Sequence, residues 1–443
     1  MACEQVTLQD VCELIVDCPH TSTKDEGVGY PLIRTPNVGR GRLILTDVHR
    51  VSQDVYERRV SRAVPRQGDL ILAREAPAGN VAIVPPGIEV CLGQRTMLLR
   101  PDSSFVVPEY LNYYLNAPEQ RDRMLRLANG ATVSHINVAD IRNMPVQLPS
   151  RGEQSKVAEL LNVLDDKIDL NNRLNDYLAD FASTVFQNQA SHIEERIALF
   201  DIADIKYGKG LAKNELVEDG YPVFGGNGQI GFYSKYLYEE PQILISCRGA
   251  ASGKVLVSLP KSFITSNSLI IELKDRRYYE YLKQYFMLHQ LYDYATGSAQ
   301  PQITIDGLRH LTVPYPPFDL IKTLTNQLKA ISDCIYSNDI ENQALSRLRD
   351  TLLPKLMSGE IDVSKVDLTQ LTNNHLSGCG SFCSVCCPSG LASEFHEWFR
   401  EHFSLVTVTY AKQIWDGRIC PKDTKEEESC RLVVTVIEVG SKN

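Results

Sequence analysis

Two glycine-rich segments have the residue types that hold phosphate groups in nucleotide-binding proteins. Gly226–Gly231 reads G-x-G-x-x-G, but the Phe-Tyr-Ser that follows is strand-like, whereas a dinucleotide fingerprint needs a helix at that point. Gly249–Val255 is one residue shorter than a phosphate loop, and Val255 stands where the loop needs Ser or Thr to bind Mg²⁺. We therefore interpret both segments as glycine-rich turns between strands.

Two further motifs have catalytic residue types at the wrong spacing or identity. Tyr315–Phe318 reads Tyr-Pro-Pro-Phe, which is close to the Asp/Asn-Pro-Pro-Tyr/Phe motif of adenine methyltransferases. A tyrosine has no carboxylate or amide oxygen to accept the adenine amino group. His396 and His402 are six residues apart, whereas a zinc-binding helical pair needs a spacing of four. The sequence therefore predicts no catalytic site.

Cysteines cluster near the C-terminal end of the chain, at Cys379, Cys383, Cys386 and Cys387, with Cys420 and Cys430 beyond. A zinc site is one interpretation of such a cluster. The spacing does not match two paired C-x-x-C motifs, because no second pair lies near Cys383 and Cys386, so the alternative is an accessory extension without a metal. We favour the extension and assign it no role.

Charge and composition exclude some classes of protein. The 443 residues are 43% hydrophobic and 23% charged, which is typical of a globular chain. The net charge of −9 argues against a generally basic nucleic-acid binder, but residues 1–150 are close to neutral (16 basic, 17 acidic) and residues 197–318 are neutral (12 of each). No apolar run is long enough to span a membrane, and the first residues lack a signal-peptide pattern. We expect a cytoplasmic protein without membrane contact.

The sequence repeats itself at an offset of 167 residues. Eleven identities occur among 49 aligned pairs, where composition alone gives about three. Examples are Ile136 with Ile303 and Val146 with Val313. Weaker similarity upstream, at different offsets, predicts two diverged globular units that each precede a connector.

The connectors have a heptad pattern of apolar residues, which predicts two helices that pack on each other. The predicted helix-pair and partner-interface residues are Val157, Leu161, Leu164, Ile168, Leu178, Leu324, Leu328, Ile331, Ile335 and Leu345. The alternative is that each helix packs only on its own globule. Four asparagines continue the stripe and are expected to fix its register: Asn171, Asn175, Asn338 and Asn342.

The globular segments have mixed α and β patterns. Short apolar runs such as Asp69–Ala73 and Ile243–Ser246 predict strands. Glu109–Leu125 and Tyr278–Tyr292 are rich in Tyr and Leu and predict helices. The predicted segments are globule 1–150, connector 151–196, globule 197–318, connector 319–361 and extension 362–443.

Four motifs resemble the specificity (S) subunit of type I restriction–modification enzymes, over about residues 5–361. They are Gly130–Asn137, Glu153–Ile168, Gly297–Ile303 and Leu348–Ile361. The departures are Cys334, where the family usually has lysine, and the extension after about residue 365.

The resemblance implies an α+β fold, with two mixed α/β target-recognition domains joined by two long antiparallel coiled-coil helices in a pseudo-twofold repeat. Each recognition domain would read one half of a bipartite asymmetric site in double-stranded DNA. The helices would dock two modification subunits, which restriction subunits then join. The chain would be non-catalytic and hold no cofactor, with S-adenosylmethionine in the modification subunit and ATP and Mg²⁺ in the restriction subunit. A protein-binding tandem-repeat scaffold without DNA selectivity is the alternative.

Basic and amide side chains in predicted loops are the candidates for DNA contact, because Arg, Lys and Asn bind phosphates and base edges. They are Arg34, Arg74, Arg95, Lys206, Lys209, Asn227, Arg248 and Lys254. Arg74 and Arg248 are predicted to occupy matching positions after a strand. The alternative for each of the eight is a surface ion pair.

Overall fold

The computed structural model describes residues 4–75, 77–128, 135–190, 193–297 and 300–363. These residues form two compact units: unit 1 comprises 4–171 and 340–363, and unit 2 comprises 172–339. The cysteine cluster and the His396 and His402 motif lie outside the described residues, as does most of the predicted extension. The five predicted segment boundaries stay a prediction.

Unit 1 is built around a five-stranded sheet. Its strands are β1 (Glu4–Thr7), β2 (Cys12–Asp17), β3 (Tyr30–Ile33), β4 (Gly41–Arg42), β5 (Arg50–Val51), β6 (Leu70–Ala73), β7 (Val81–Ile83), β8 (Cys91–Leu92), β9 (Thr96–Pro101) and β10 (Pro145–Leu148). The main sheet has the order β2-β9-β6-β7-β4, and smaller sheets are β5-β3-β8 and β1-β10.

The central strand β6 shows why the sheet forms here. Leu70 and Leu72 point into one buried cluster, whereas Ile71 and Ala73 point into another on the opposite face. Side chains alternate between the two faces of a strand, so a continuous apolar run predicts a strand that is covered on both sides. The sheet of unit 1 is therefore a buried central layer.

Helices pack on both kinds of sheet in unit 1, the first on the small sheet β5-β3-β8 and the next three on one face of the main sheet. They are α1 (Gln53–Arg59), α2 (Pro108–Asn116), α3 (Pro118–Leu127) and α4 (Val138–Arg142). The single helix predicted at Glu109–Leu125 was wrong, because two helices occupy this stretch. Ala117 has the extended conformation (φ −60°, ψ 143°) that a following proline favours, and this ends the first helix.

Two 40-residue helices follow the globular parts, α5 (Arg151–Ala190) and, later in the chain, α8 (Phe318–Met357). Ser150 and Glu153 form a capping box at the start of α5: the Glu153 carboxylate accepts from the Ser150 amide at 3.0 Å, and the Ser150 hydroxyl accepts in return at 3.4 Å. This reciprocal pair sets where α5 begins.

Unit 2 has the same kind of architecture. Its strands are β11 (Arg196–Ala198), β12 (Ala203–Tyr207), β13 (Tyr221–Gly225), β14 (Gly228–Tyr233), β15 (Ile243–Ser246), β16 (Val255–Val257), β17 (Phe263–Ile264), β18 (Ser268–Leu273) and β19 (Thr312–Pro314), with helices α6 (Leu199–Ile202) and α7 (Tyr279–Leu288). The sheets are β12-β18-β15-β16, β14-β13-β17 and β11-β19.

Main-chain hydrogen bonds confirm the internal repeat. The Ile136 amide donates to the Arg74 carbonyl at 3.1 Å in unit 1, and the Ile303 amide donates to the Cys247 carbonyl at 3.1 Å in unit 2. Ile136 and Ile303 are related by the same 167-residue offset that the sequence shows. The two units therefore share one hydrogen-bonding frame, and not only a similar composition.

The apolar stripe of the connectors lies in the cores of the two units. In unit 1, Val157 and Leu161 of α5 share a buried cluster with the sheet and with Leu353 and Leu356 of α8. In unit 2, the same arrangement includes the following stripe residues: Leu178, Leu324, Leu328 and Ile331. Both interpretations of the stripe are therefore correct in part, because the helices pack on each other and on the globular part.

The remaining four stripe residues lie nearer the middle of the long helices and do not belong to the buried clusters of the two units. Leu164 is buried, whereas Ile168, Ile335 and Leu345 are only partly buried. Ile335 packs against the buried cluster of unit 2 from its margin. The stripe therefore leaves the core towards the middle of each long helix.

Polar side chains join α5 to α8 within each unit. In unit 1, Asn171 Nδ2 donates to Asn342 Oδ1 at 2.9 Å. In unit 2, Asn338 Nδ2 donates to Asn175 Oδ1 at 2.7 Å. Both pairs join one helix to the other, as expected for asparagines that fix register.

The helix pair is antiparallel inside each unit. In unit 1, Asp165 pairs with Arg349 while Asn171 pairs with Asn342, so rising numbers on α5 meet falling numbers on α8. In unit 2, Gln189 donates to Gln327, while Asn175 meets Asn338.

Among the residues that the structure describes, no helix is long and apolar enough to cross a membrane.

Candidate nucleic-acid interface

One edge of the unit 2 sheet gathers several loops. β12 and β15 end there and β16 and β18 begin there, because each of these strands is antiparallel to its neighbour in the sheet. We call this the unit 2 edge and define it by residues 208–211, 226–227, 247–254 and 265–267. Loops at strand ends carry side chains that a rigid sheet positions but does not bury.

Four of the eight candidate residues lie on the unit 2 edge: Lys209, Asn227, Arg248 and Lys254. Lys209 and Arg248 are exposed, and Lys254 is half-buried. Lys254 Nζ donates to Asn227 Oδ1 at 3.0 Å, which joins the β13–β14 turn to the loop before β16. Within the described part of the chain, none of the three cations forms an ion pair with a carboxylate.

Glycine at position 226 brings this turn close to the sheet. A Cβ atom on Gly226 would lie 2.9 Å from the Ser246 hydroxyl and 3.2 Å from the Asn267 carbonyl. These distances are shorter than side-chain contacts normally are, so the close approach of the turn requires glycine. The glycines of the G-x-G-x-x-G stretch therefore serve a turn between strands, as the sequence predicts.

Lys206 differs from the other candidates of unit 2. Its ammonium group is ion-paired with the Glu272 carboxylate on the neighbouring strand β18. The hydrogen bond to Glu272 raises the pKa of Lys206 above its ordinary value. The Lys206 side chain is about half exposed. Because Glu272 pairs with it, its positive charge is already balanced at the surface of the sheet.

The corresponding edge of unit 1 has internal ion pairs. Arg74 Nη1 lies 2.7 Å from Asp17 Oδ1, and Arg74 Nε donates to the Ile136 carbonyl at 2.9 Å. The Arg74 side chain is only 13% exposed. Arg74 therefore joins the ends of two strands to the segment before α4.

The other two candidates of unit 1 lie in nearby loops. Arg95 Nε is 2.9 Å from Glu75 Oε2, and its side chain is more than half exposed. Arg34 is half-buried, and its Nε has no hydrogen-bond acceptor among the described residues. Arg95 can still present donors to a ligand, whereas the Arg34 Nε is buried and the largely buried Arg74 guanidinium is held by Asp17 and the Ile136 carbonyl.

The predicted match of Arg74 with Arg248 is wrong by one position. Arg74 is the first residue after β6, whereas Arg248 is the second residue after β15. The shared hydrogen bond from the repeated isoleucine shows that Arg74 corresponds to Cys247, whose buried thiol has a pKa raised by burial.

Exposed apolar residues occur on the part of α8 that lies in each unit, and the heptad pattern did not find them. The predicted interface residues Val157 and Leu161 are fully buried inside unit 1. In contrast, Ile340 and Leu348 of unit 1 are 45% and 47% exposed, and Tyr336 of unit 2 is 40% exposed. These three residues are four and eight positions apart and do not belong to the heptad stripe. Apolar residues outside the stripe were the signal for an exposed apolar surface that the sequence offered.

The chemistry of the two edges is that of binding. The unit 2 edge carries Lys209, Asn227, Arg248 and Lys254, and the unit 1 edge carries the ion-paired Arg74 and Arg95; such donors can bind phosphate oxygens and base edges. Among the described residues, no group of three His, Cys, Asp or Glu side chains is placed to hold a metal ion. Two related sheet units with donor-rich loops along one edge define a two-repeat binding protein.

The family follows from comparison with known proteins. The family model described as "Type I restriction modification DNA specificity domain" matches residues 2–179 and again residues 195–348. The two matches cover most of the chain, and the chain belongs to this family. The resemblance that the sequence motifs show is thereby confirmed, together with the presence of two specificity domains.

Individual relatives are distant in sequence. The chain is similar to the type I restriction enzyme MjaIX specificity subunit of Methanocaldococcus jannaschii, with 23% identity over 366 residues, or 72% of this chain and 84% of that protein. A putative type I restriction enzyme MjaX specificity subunit from the same organism is 24% identical over 396 residues, or 80% and 93%. The crystal structure of an S subunit from M. genitalium is similar with a TM-score of 0.49 and 19% identity, covering 80% of this chain and 96% of that one.

Proposed function

We propose that this chain is the sequence-reading subunit of a type I restriction–modification complex, and that each unit reads one half of a bipartite asymmetric DNA site. The observation that carries this is the pair of matching sheet edges. The edges share their main-chain hydrogen bonds but differ in side chains, and a repeated frame with different readers suits two different half-sites.

The helices are the proposed dock for two modification subunits. The two connectors repeat each other, so two copies of one partner can bind equivalent surfaces. Exposed apolar residues support this role for α8, since Ile340 and Leu348 are 45% and 47% exposed among the described residues. Restriction subunits would join through the modification subunits.

Catalysis belongs, in this proposal, to the partners. S-adenosylmethionine would be held by the modification subunits, and ATP and Mg²⁺ by the restriction subunits, in the cytoplasm. The Tyr315 motif supports a non-catalytic chain because it serves packing. The Tyr315 ring stacks on Tyr278 at 4.0 Å, and the Tyr278 hydroxyl donates to the Pro316 carbonyl at 2.9 Å.

Mapping of methylated adenines tests the proposal directly. The chain is expressed with the modification subunit of its own genome in a methylation-free host, whose DNA is then read by long-read sequencing. We expect two defined sequence blocks separated by a spacer of fixed length. The matched control is the modification subunit alone, which should leave the DNA unmodified.

Two results would contradict the proposal. One is an absence of methylation although the two subunits co-purify. The other is a motif that the modification subunit produces equally well without this chain.

A further inference from the structure

The two edges can be compared position by position, because their main-chain hydrogen bonds correspond. The Cys18 amide donates to the Thr96 carbonyl at 3.2 Å in unit 1, and the Gly208 amide donates to the Ser268 carbonyl at 3.1 Å in unit 2. Cys18 and Gly208 are therefore equivalent. The next residue is a proline in unit 1 and Lys209 in unit 2.

A second position lies in the loop after the central strand. Arg74 and Cys247 are equivalent because each carbonyl accepts from the repeated isoleucine. The residue that follows is Glu75 in unit 1 and Arg248 in unit 2. An acid in one unit thus stands where the other has a base.

A third position closes the same loop. The Ala73 amide donates to the Asn80 carbonyl at 2.9 Å, and the Ser246 amide donates to the Lys254 carbonyl at 2.8 Å. Asn80 of unit 1 is therefore equivalent to Lys254 of unit 2. At three equivalent positions, unit 2 has three cations where unit 1 has a proline, a carboxylate and an amide.

The side chains of unit 1 at these positions are turned to internal partners. Glu75 is paired with Arg95 at 2.9 Å. Asn80 Nδ2 donates to the Val38 carbonyl at 3.0 Å, and its Oδ1 accepts from Arg121 at 3.0 Å. The unit 1 edge therefore offers no net positive charge at the three positions.

The loop of unit 2 also offers main-chain donors. Within the described structure, the amides of Ala250 and Ala251 donate to no protein group, and both residues lie between Arg248 and Lys254. Gly253 has φ +97°, and a Cβ there would come within 2.5 Å of the Tyr292 backbone, so glycine lets the loop fold this closely. Free main-chain amides beside cations can donate to an anion such as a phosphate oxygen.

We propose that residues 247–254 together with Lys209 form a phosphate-binding site for the DNA backbone, so that unit 2 anchors the protein on DNA of any sequence. Unit 1 contributes base reading without this anchor. The inference rests on the proposed function and adds a division of roles between the two recognition units.

Counterion release makes the anchor measurable. Each DNA phosphate that a cation neutralises adds about 0.9 to the steepness with which log K falls against log salt concentration. Three cations at the unit 2 edge therefore account for about 2.7 of the slope. Base-reading contacts change affinity for particular sequences and leave this slope nearly unchanged.

The experiment measures binding of a fluorescent random-sequence duplex by the full chain in complex with its modification subunit, from about 50 to 200 mM KCl. The variant is K209A/R248A/K254A. We expect the slope to become shallower by about 2.7 for this triple variant and by about 0.9 for Arg248→Gln alone. The Arg248 side chain is exposed, so the single substitution should leave the fold intact.

Two controls isolate the effect. Lys329→Gln removes an exposed lysine of α8 that is paired with Asp333, and it should leave the slope unchanged. Glu75→Gln in unit 1 removes the acid equivalent to Arg248, and it should not make the slope shallower. Circular dichroism and co-elution with the modification subunit check the fold of each variant.

The outcomes separate the two proposals. If the wild-type complex binds the duplex but the slope is the same in the triple and the single variants, the anchor is overturned and the proposed function stands. If the wild-type complex binds no random-sequence duplex at all, the anchor is overturned, and the methylation map alone decides the proposed function.

Discussion

Burial sets the reactivity of the thiols in unit 1. Cys91 is fully buried, and desolvation raises its pKa to about 11. Cys12 is half-buried, and burial together with the nearby Asp102 carboxylate raises its pKa to about 12. A thiol reacts as its thiolate, so a raised pKa makes both groups inert near neutral pH.

Alkylation with iodoacetamide tests this. At pH 8 a pKa of about 11 leaves roughly one Cys91 thiol in a thousand ionised, so we expect Cys91 to stay unlabelled in the native protein. The same residue should be labelled within minutes in urea, where its pKa returns to about 8.5. Mass spectrometry of the peptides gives both values, and rapid native labelling of Cys91 would contradict the burial.

Arg74 and Arg248 are expected to behave in opposite ways. Arg74→Ala removes a largely buried ion pair with Asp17 and a hydrogen bond, so the free energy of unfolding should fall by about 1–3 kcal/mol. Arg248→Ala removes an exposed side chain and should change it by less than about 0.5 kcal/mol. Urea denaturation measures both, and equal effects would show that the two arginines have the same role.

These two arginines also show what sequence reasoning can reach at a single residue. Their identity and their position after a strand are visible in the sequence. Their partners are not, because Asp17 is 57 residues from Arg74 and the carboxylate comes close only when the sheet forms. A one-residue difference in loop length was enough to match Arg74 with the wrong residue of the repeat.

At the scale of the helices, burial and exposure on α5 and α8 separate stability from docking. Leu161→Ala removes a fully buried side chain from unit 1 and should lower the free energy of unfolding by about 2–5 kcal/mol. Leu348→Ala removes a half-exposed side chain and should cost less than about 0.5 kcal/mol.

The second variant has a different expected defect. If α8 docks the modification subunit, Leu348→Ala should weaken co-purification of that subunit while the chain itself stays folded. The exposed Leu125 of α3 provides a matched control, because Leu125→Ala removes a similarly exposed leucine away from the long helices. Equal co-purification of the two variants would argue against a dock at Leu348.

The long helices were predictable from the sequence, and their surroundings were only partly so. The heptad pattern over Val157–Leu178 predicts a helix where the structure has α5 (Arg151–Ala190). The pattern does not reveal which side chains the sheet covers, because apolar contact with a helix and with a sheet select the same residue types. Val157 and Leu161 therefore looked available to a partner, although the core of unit 1 contains them.

At the scale of the whole chain, the two units are assembled differently from the sequence. Within the described residues, unit 2 is one continuous segment, residues 172–339. Unit 1 needs two segments, because Leu353 and Leu356 of α8 belong to the same buried cluster as the sheet of residues 12–101. The core of unit 1 is therefore complete only when two segments that are distant in sequence pack together.

Fragments test this difference. We expect residues 172–339 to unfold cooperatively on heating when expressed alone. Residues 1–171 should lack a cooperative transition until a peptide of residues 340–363 is added, because burial of its apolar residues completes the core. Circular dichroism melts measure all three samples, and a cooperative melt of residues 1–171 alone would contradict the expectation.

Because unit 1 needs two segments, its core can be completed only after the second segment has been translated. The ribosome makes residues 1–171 first, but the helix that completes their core ends some 185 residues later, which takes roughly 10–40 s at bacterial rates of 5–20 residues per second. All described residues of unit 2, within 172–339, are made in that interval. We therefore expect the recognition unit that is translated second to be the first that can bind DNA.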